Sequence, residues 1–291
     1  MHLTQLLRDP GGILHVRRLR AAGFTSHRIA TALSSGAVIR PQRGWIALPG
    51  SDPELLQAAS EGTILSCVSV TRRLGLWLLE QPEPHFAARS PHAHPQTTAK
   101  VHWRAPVRRR EPQTLLDPLE NALNYIAYCQ PPEEAIAIWE SALNKRLVTL
   151  TALRRYPYVG RAKEILQSVT PFSDSGLESY VGTRLRALGL RFVVQAYLHE
   201  HRRDFLIEGW LILEIDGATH TGRQRDLDNA QDWELSINGL GRIRAGYRQV
   251  LECWPEVQDA IMRLLSQGRP VVQGGDRLPN GPQHGKNPRE K

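Results

Sequence analysis

Two apolar runs, Phe205-Leu206-Ile207 and Trp210-Leu211-Ile212-Leu213, flank the turn-like pair Glu208-Gly209, and this pattern predicts a β-hairpin. Around it the chain predicts a helix from Leu177 to Leu188, a strand from Phe192 to Leu198 and a helix from about Gln224 to Asn238. A strand from Gly241 to Tyr247 and a helix from Pro255 to Ser266 complete the block. Such an order predicts an α/β sandwich around a mixed sheet. At the other end, Thr4 to Arg8 predicts a short helix, and Ile13, Val16, Leu19 and Ala22 keep helical spacing up to Gly23. Thr25 or Ser26 caps a further helix with Ile29, Ala30 and Leu33 inward, and Gly36 ends it. Two short helices joined by a glycine-containing turn make a helix-turn-helix candidate. Ala37 to Leu48 then predicts a hairpin with Pro41 to Gly44 at its tip, the wing of a winged helix.

Between these ends the pattern is weaker. Helices are expected at Pro53 to Glu61, Val68 to Leu79, Leu115 to Tyr128, Pro132 to Leu147 and Thr149 to Arg155, with short strands at Pro84 to Ala88 and Lys100 to Arg104. No repeat or chemical motif stands out there. The expected organisation is a winged helix-turn-helix over residues 1–50, an α+β linking module over 51–170 and an α/β domain over 171–267. A disordered tail rich in Gly, Pro and Asn is expected over 268–291. The fold class is α+β and multidomain.

Charge changes the picture more than length does. A net charge of +8 with a pI near 9.7, carried mainly by arginine, favours a nucleic-acid partner. Arginine suits bidentate contacts to phosphate and guanine. His27, Arg28, Arg40 and Arg43 are the expected DNA contacts of the N-terminal unit, mostly to phosphate. Cys67, Cys129 and Cys253 lie far apart without CxxC or His-Cys spacing, which predicts neither disulfides nor a zinc site and fits a reducing cytoplasm. No apolar run approaches the ~18 residues of a membrane span.

Candidate chemistry concentrates in the hairpin. Asp204, Glu214 and Asp216 interrupt or bound apolar strands, and a half-buried carboxylate needs a partner such as a divalent cation. Glu214 and Asp216, two apart on a strand, leave one face. A two-residue turn would pair Asp204 with Leu213 and aim it away from Glu214, so a shared ion requires an odd-length loop or a bulge. Glu178 also completes a Ser175-x-x-Glu178 capping box. His220, past the strand, is a candidate proton carrier, and Gln195 alternates with its neighbours toward the acids.

Two family resemblances follow. Gly12 to Leu14 together with Arg40-Pro41-Gln42-Arg43-Gly44-Trp45-Ile46-Ala47-Leu48 resembles the N-terminal winged-helix domain of AbiEi-type antitoxins, where a basic hairpin closes the domain. The ordered set Ser175-Gly176-Leu177-Glu178, Gln195, Asp204-Phe205, Glu214-Ile215-Asp216-Gly217, His220, Asp232-Trp233-Glu234-Leu235, Gly239 and Arg242-Ile243-Arg244 resembles the very-short-patch-repair-like endonuclease domain of the PD-(D/E)XK superfamily. That resemblance implies an αβββαβ, restriction-endonuclease-like core, with Mg²⁺ or Mn²⁺ held by Glu178, Asp204 and Glu214. Asp216 stands where the superfamily places a lysine, and Gln231-Asp232 where relatives often carry Arg-Asp. In the endonuclease reading Asp216 or His220 orients or deprotonates a metal-bound water that attacks a DNA phosphodiester. In the alternative, the chain is an antitoxin-like transcriptional regulator whose nuclease fold is inactive.

Overall fold

The computed structural model describes residues 2–8, 11–80, 83–170, 176–198, 200–216 and 238–270. They form a mixed α/β protein with small sheets, divided into two compact units, Met1–Leu188 and Gly189–Lys291. Each unit is described by itself.

The first unit opens with helix α1 (Leu3–Arg8), strand β1 (Ile13–His15), helices α2 (Val16–Ala21) and α3 (Ser26–Ser34), and strand β2 (Trp45–Ala47). Ile13 therefore lies in a strand and not on the α2 face: it pairs with Ala47, and His15 with Trp45. Thr25 caps α3 as expected, its hydroxyl accepting from the Arg28 amide at 3.3 Å. Ile29 is buried and Leu33 half-buried, but Ala30 is exposed and Ala32 turns inward in its place. Leu7, Leu14, Leu19, Phe24, Ile29, Val38 and Ile46 close a small core. Gly44 turns the chain into β2 at φ +94°, and a Cβ there would come within 2.7 Å of the His15 ring, so the position needs glycine on two counts.

Next come α4 (Pro53–Ser60), β3 (Thr63–Leu65), α5 (Cys67–Arg73), β4 (His85–Ala88) and β5 (Lys100–His102). Strands order as β3-β4-β5, β4 antiparallel to β3 and parallel to β5. Leu65, Phe86 and Val101 pack on one face of this sheet toward Trp45 and Leu55. Ala87 faces the other side, a larger core with Cys67, Leu123, Ile126, Trp139 and Leu153. That core is built by α6 (Leu119–Cys129), α7 (Pro132–Asn144), α8 (Leu150–Leu153) and α9 (Gly160–Ser168). Helix α10 (Gly176–Ala187) packs on α7, with Arg184 Nε 3.0 Å from Glu133 and the Tyr180 ring 6.0 Å from Trp77.

The second unit is a four-stranded sheet, β6 (Phe192–Leu198), β7 (His201–Ile207), β8 (Leu211–Asp216) and β9 (Gly241–Gly246), in that spatial order. β6, β7 and β8 form an antiparallel meander, and β9 runs parallel to β8. Helices α11 (Tyr247–Glu252) and α12 (Trp254–Gln267) bury Val250, Val257 and Ile261. The expected helix from Gln224 to Asn238, apart from Asn238 itself, lies outside the described residues, as does the tail beyond Pro270.

Candidate functional site

The N-terminal cations are placed by the small core beneath them. His27 and Arg28 are exposed on α3, and Arg40 and Arg43 are exposed on either side of the turn into β2. Arg28 is not a free arm, because its guanidinium lies 5.0 Å from the Phe24 ring centre. His15 Nδ1 accepts from the Arg17 amide at 3.2 Å and its ring meets Trp45 edge-on at 5.1 Å, so α2, the turn and β2 are tied together.

In the second unit, Ile207 pairs with Leu211, leaving a three-residue loop of Glu208, Gly209 and Trp210. Glu208 and Gly209 both take positive φ, +48° and +76°. The loop has the odd length that a shared acidic site requires, but the β7–β8 pairing ends at Phe205–Leu213, and it is Arg203, not Asp204, that bonds the Glu214 carboxylate. On the other side, the β6–β7 register sets Gln195 level with Asp204, and Gln195 breaks that ladder locally at φ +53°. Gln195, Asp204 and Glu214 thus lie on three adjacent strands, β6, β7 and β8.

What these side chains bond to differs from the metal expectation. Asp204 Oδ2 accepts the Ile215 amide at 2.8 Å, taking a main-chain donor at the end of the paired stretch. Glu214 is held by three arginines. Arg203 Nη1 reaches its Oε1 at 2.5 Å, Arg242 Nε its Oε2 at 2.7 Å, and Arg244 Nε the same oxygen at 3.3 Å. A second nitrogen of Arg242, Nη2, also bonds Oε2. Burial works to raise the Glu214 pKa, but the Arg203 and Arg242 bonds outweigh it and hold the carboxyl below its ordinary value. A divalent ion here would have to displace guanidiniums from both oxygens and sit among their charges, so Glu214 as placed does not fit Mg²⁺ or Mn²⁺.

Glu178 is buried near the start of α10, in the first unit, whereas Asp204 and Glu214 belong to the second. Its expected capping partner Ser175 lies outside the described residues, as do His220 and the side chain of Asp216.

A further cluster unites residues whose spacing gave no sign of it. Cys67, His85, His102 and Cys129 each offer a donor atom, and these atoms all lie within 4.8 Å of one another. The sheet explains the histidines. His85 and Ala87 are two apart on β4, and His102 is level with Ala87 on β5, so all three face the same side. Cys67 begins α5 directly after Ser66, whose amide bonds the His85 carbonyl at 3.0 Å, and Cys129 ends α6. Cys129 Sγ is 3.6 Å from His85 Nδ1, the two imidazoles meet edge-on at 5.4 Å, and His102 stacks on Tyr125 at 5.2 Å. Contact with Cys67 and the two rings draws the Cys129 thiol well below its ordinary pKa, while burial pushes Cys67 up. The earlier expectation that the cysteines have no zinc-site pattern holds along the chain but not in space. The available signal was positional: each of the four sits at or near the end of an element.

No protein-family model matches the chain, and no curated protein matches it.

Proposed function

We propose that the chain is a DNA-binding protein of the regulator type, with α1 to β2 acting as a winged helix. The observation that carries this reading is the exposed face of α3: Ser26, His27, Arg28 and Thr31 face outward over a buried Ile29, with exposed Arg40 and Arg43 beside the turn into β2. In this docking α3 enters a major groove and the two arginines lie along phosphates. The net charge of +8 supports the same partner. The second unit then serves as a scaffold, its Glu214 carboxylate neutralised by arginine.

A second reading, metal-dependent DNA cleavage, is favoured by one specific observation, the odd-length hairpin loop between the strands that carry Asp204 and Glu214. The test that separates them is duplex binding by fluorescence anisotropy together with plasmid cleavage in Mg²⁺ or Mn²⁺. The regulator reading expects salt-sensitive binding and intact plasmid. Metal-dependent nicking by the wild type that disappears in Asp204→Asn, which leaves the Glu214–arginine pairs in place, would replace it with the nuclease reading.

A further inference from the structure

The Cys67, His85, His102 and Cys129 cluster has the composition and closeness of a metal site. We infer that it binds one Zn²⁺ as a closed, structural centre of the first unit. Two sulfurs and two imidazole nitrogens are the donor set that tetrahedral zinc selects. With Zn–S near 2.3 Å and Zn–N near 2.1 Å, the donor atoms of a tetrahedron lie about 3.3–3.8 Å apart. The 3.6 Å between Cys129 Sγ and His85 Nδ1 already falls in that range, and the whole set, within 4.8 Å, needs only slight contraction.

Burial gives the second argument. Cys67 is fully buried and His85 nearly so, and His102 Nε2 is a buried nitrogen with no hydrogen-bond partner among the described residues. A buried polar atom without a partner calls for an explanation, and a cation in the middle of the cluster supplies one. The third argument is support around the ligands. Ser66 Oγ donates to Asp117 at 2.7 Å, and Asp117 is gripped by Arg110 through two bonds of 2.8 and 2.9 Å and by Asn121 at 2.9 Å. Tyr125, which stacks on His102, is fixed by its hydroxyl to the Arg104 carbonyl at 2.9 Å. These bonds fix the residue before Cys67 and the ring that stacks on His102, and so brace the surroundings of two of the four ligands. Cys67 itself sits at φ +52°, a left-handed conformation that is costly outside glycine and gathers at sites under functional constraint.

All four positions of the tetrahedron are taken by protein, leaving none for water or substrate, so the role is structural. The ion would join the β3–α5 junction, β4, β5 and the end of α6. This proposal does not depend on DNA binding or on the acidic block.

The test uses the full chain, made in zinc-containing medium and freed of any histidine tag. Elemental analysis after gel filtration is expected to find about one zinc per chain. Unfolding, chelation and refolding with Co²⁺ should give tetrahedral visible bands and a thiolate charge-transfer band in the near ultraviolet. Cys129→Ser and His102→Ala should lose the zinc, and Cys253→Ser should keep it. Chelation should lower Tm by roughly 10 °C. Wild-type protein with negligible zinc and no thiolate–Co²⁺ band would overturn the inference, as would iron in its place or a Cys67–Cys129 disulfide. The Co²⁺ spectrum is read on the wild type, so it decides the matter even where a variant fails to fold.

Discussion

Glu214 is where a single residue departs most from its expected role. Its carboxylate balances Arg203, which is only 4% exposed, bonds it through Nη1, and has an Nε without a hydrogen-bond partner among the described residues. Removing one member of a buried ion pair leaves the other charge uncompensated. Glu214→Ala is therefore expected to destabilise the second unit by about 3 kcal/mol in urea unfolding, and adding Arg203→Met should recover part of the loss. The pH dependence has a definite sign. Because the folded pKa is depressed, the contribution of Glu214 is complete above its ordinary value of 4.5 and vanishes as pH falls through the lower folded value. Acid unfolding of the wild type should show this loss, and the Glu214→Ala profile should be flatter across the same window. Sequence made this residue conspicuous, since a glutamate within an apolar strand needs a partner. It did not say which partner, because the three arginines come from β7 and β9 and meet only through strand pairing.

Among the elements, those with a strong local pattern were legible and those set by tertiary contacts were not. The strand Phe192–Leu198 has the expected bounds because it is a run of β-branched, aromatic and other apolar residues broken only at Gln195. Helix α5 stops at Arg73 and not near Leu79, because Leu74 to Leu76 turn through Gly75 at φ +64°. Helix α9 has Ala162, Ile165 and Leu166 at helical spacing, a signal left unread among the expected elements, whereas the three-residue strand β3 carries too little pattern of its own to be seen in advance. The Cys/His site was invisible for the same reason: its ligands come from four elements, and only the pairing of β4 with β5 aligns the histidines. Two outcomes belong at this scale. Thr25→Ala removes the α3 cap and should cost about 1 kcal/mol, measured by thermal unfolding. Gly209→Ala, at φ +76° in the hairpin loop, should cost a further ~1 kcal/mol in its own unit, with the register unchanged by amide hydrogen exchange.

For the molecule as a whole, two features set its behaviour: a strong positive charge and a division into two compact units. If the charge serves DNA, affinity for duplex falls linearly in a log–log plot against salt, with a slope near −0.9 per phosphate contacted. Arg40→Ala with Arg43→Ala should shallow that slope by about 1 to 2 and weaken all duplexes alike. Binding that ignores both salt and these substitutions would count against the winged-helix reading. The division makes a calorimetric expectation. Unfolding of the full chain should resolve two transitions, of which a zinc chelator lowers one and Glu214→Ala the other. Among the described residues no helix is long and apolar enough to cross a membrane.

The scatter of Cys67, His85, His102 and Cys129 over four elements also bears on how the chain is made. A ribosome delivers them in order, and the fourth donor emerges only when α6 is complete. Until then, β3, β4 and β5 can pair but cannot be clamped, and any ion is held by three donors at most. When Cys129 emerges, one ion closes three loops at once, each at a modest entropic cost. Synthesis would then pass a checkpoint at the end of α6, before the arginine-caged sheet of the second unit has been translated at all.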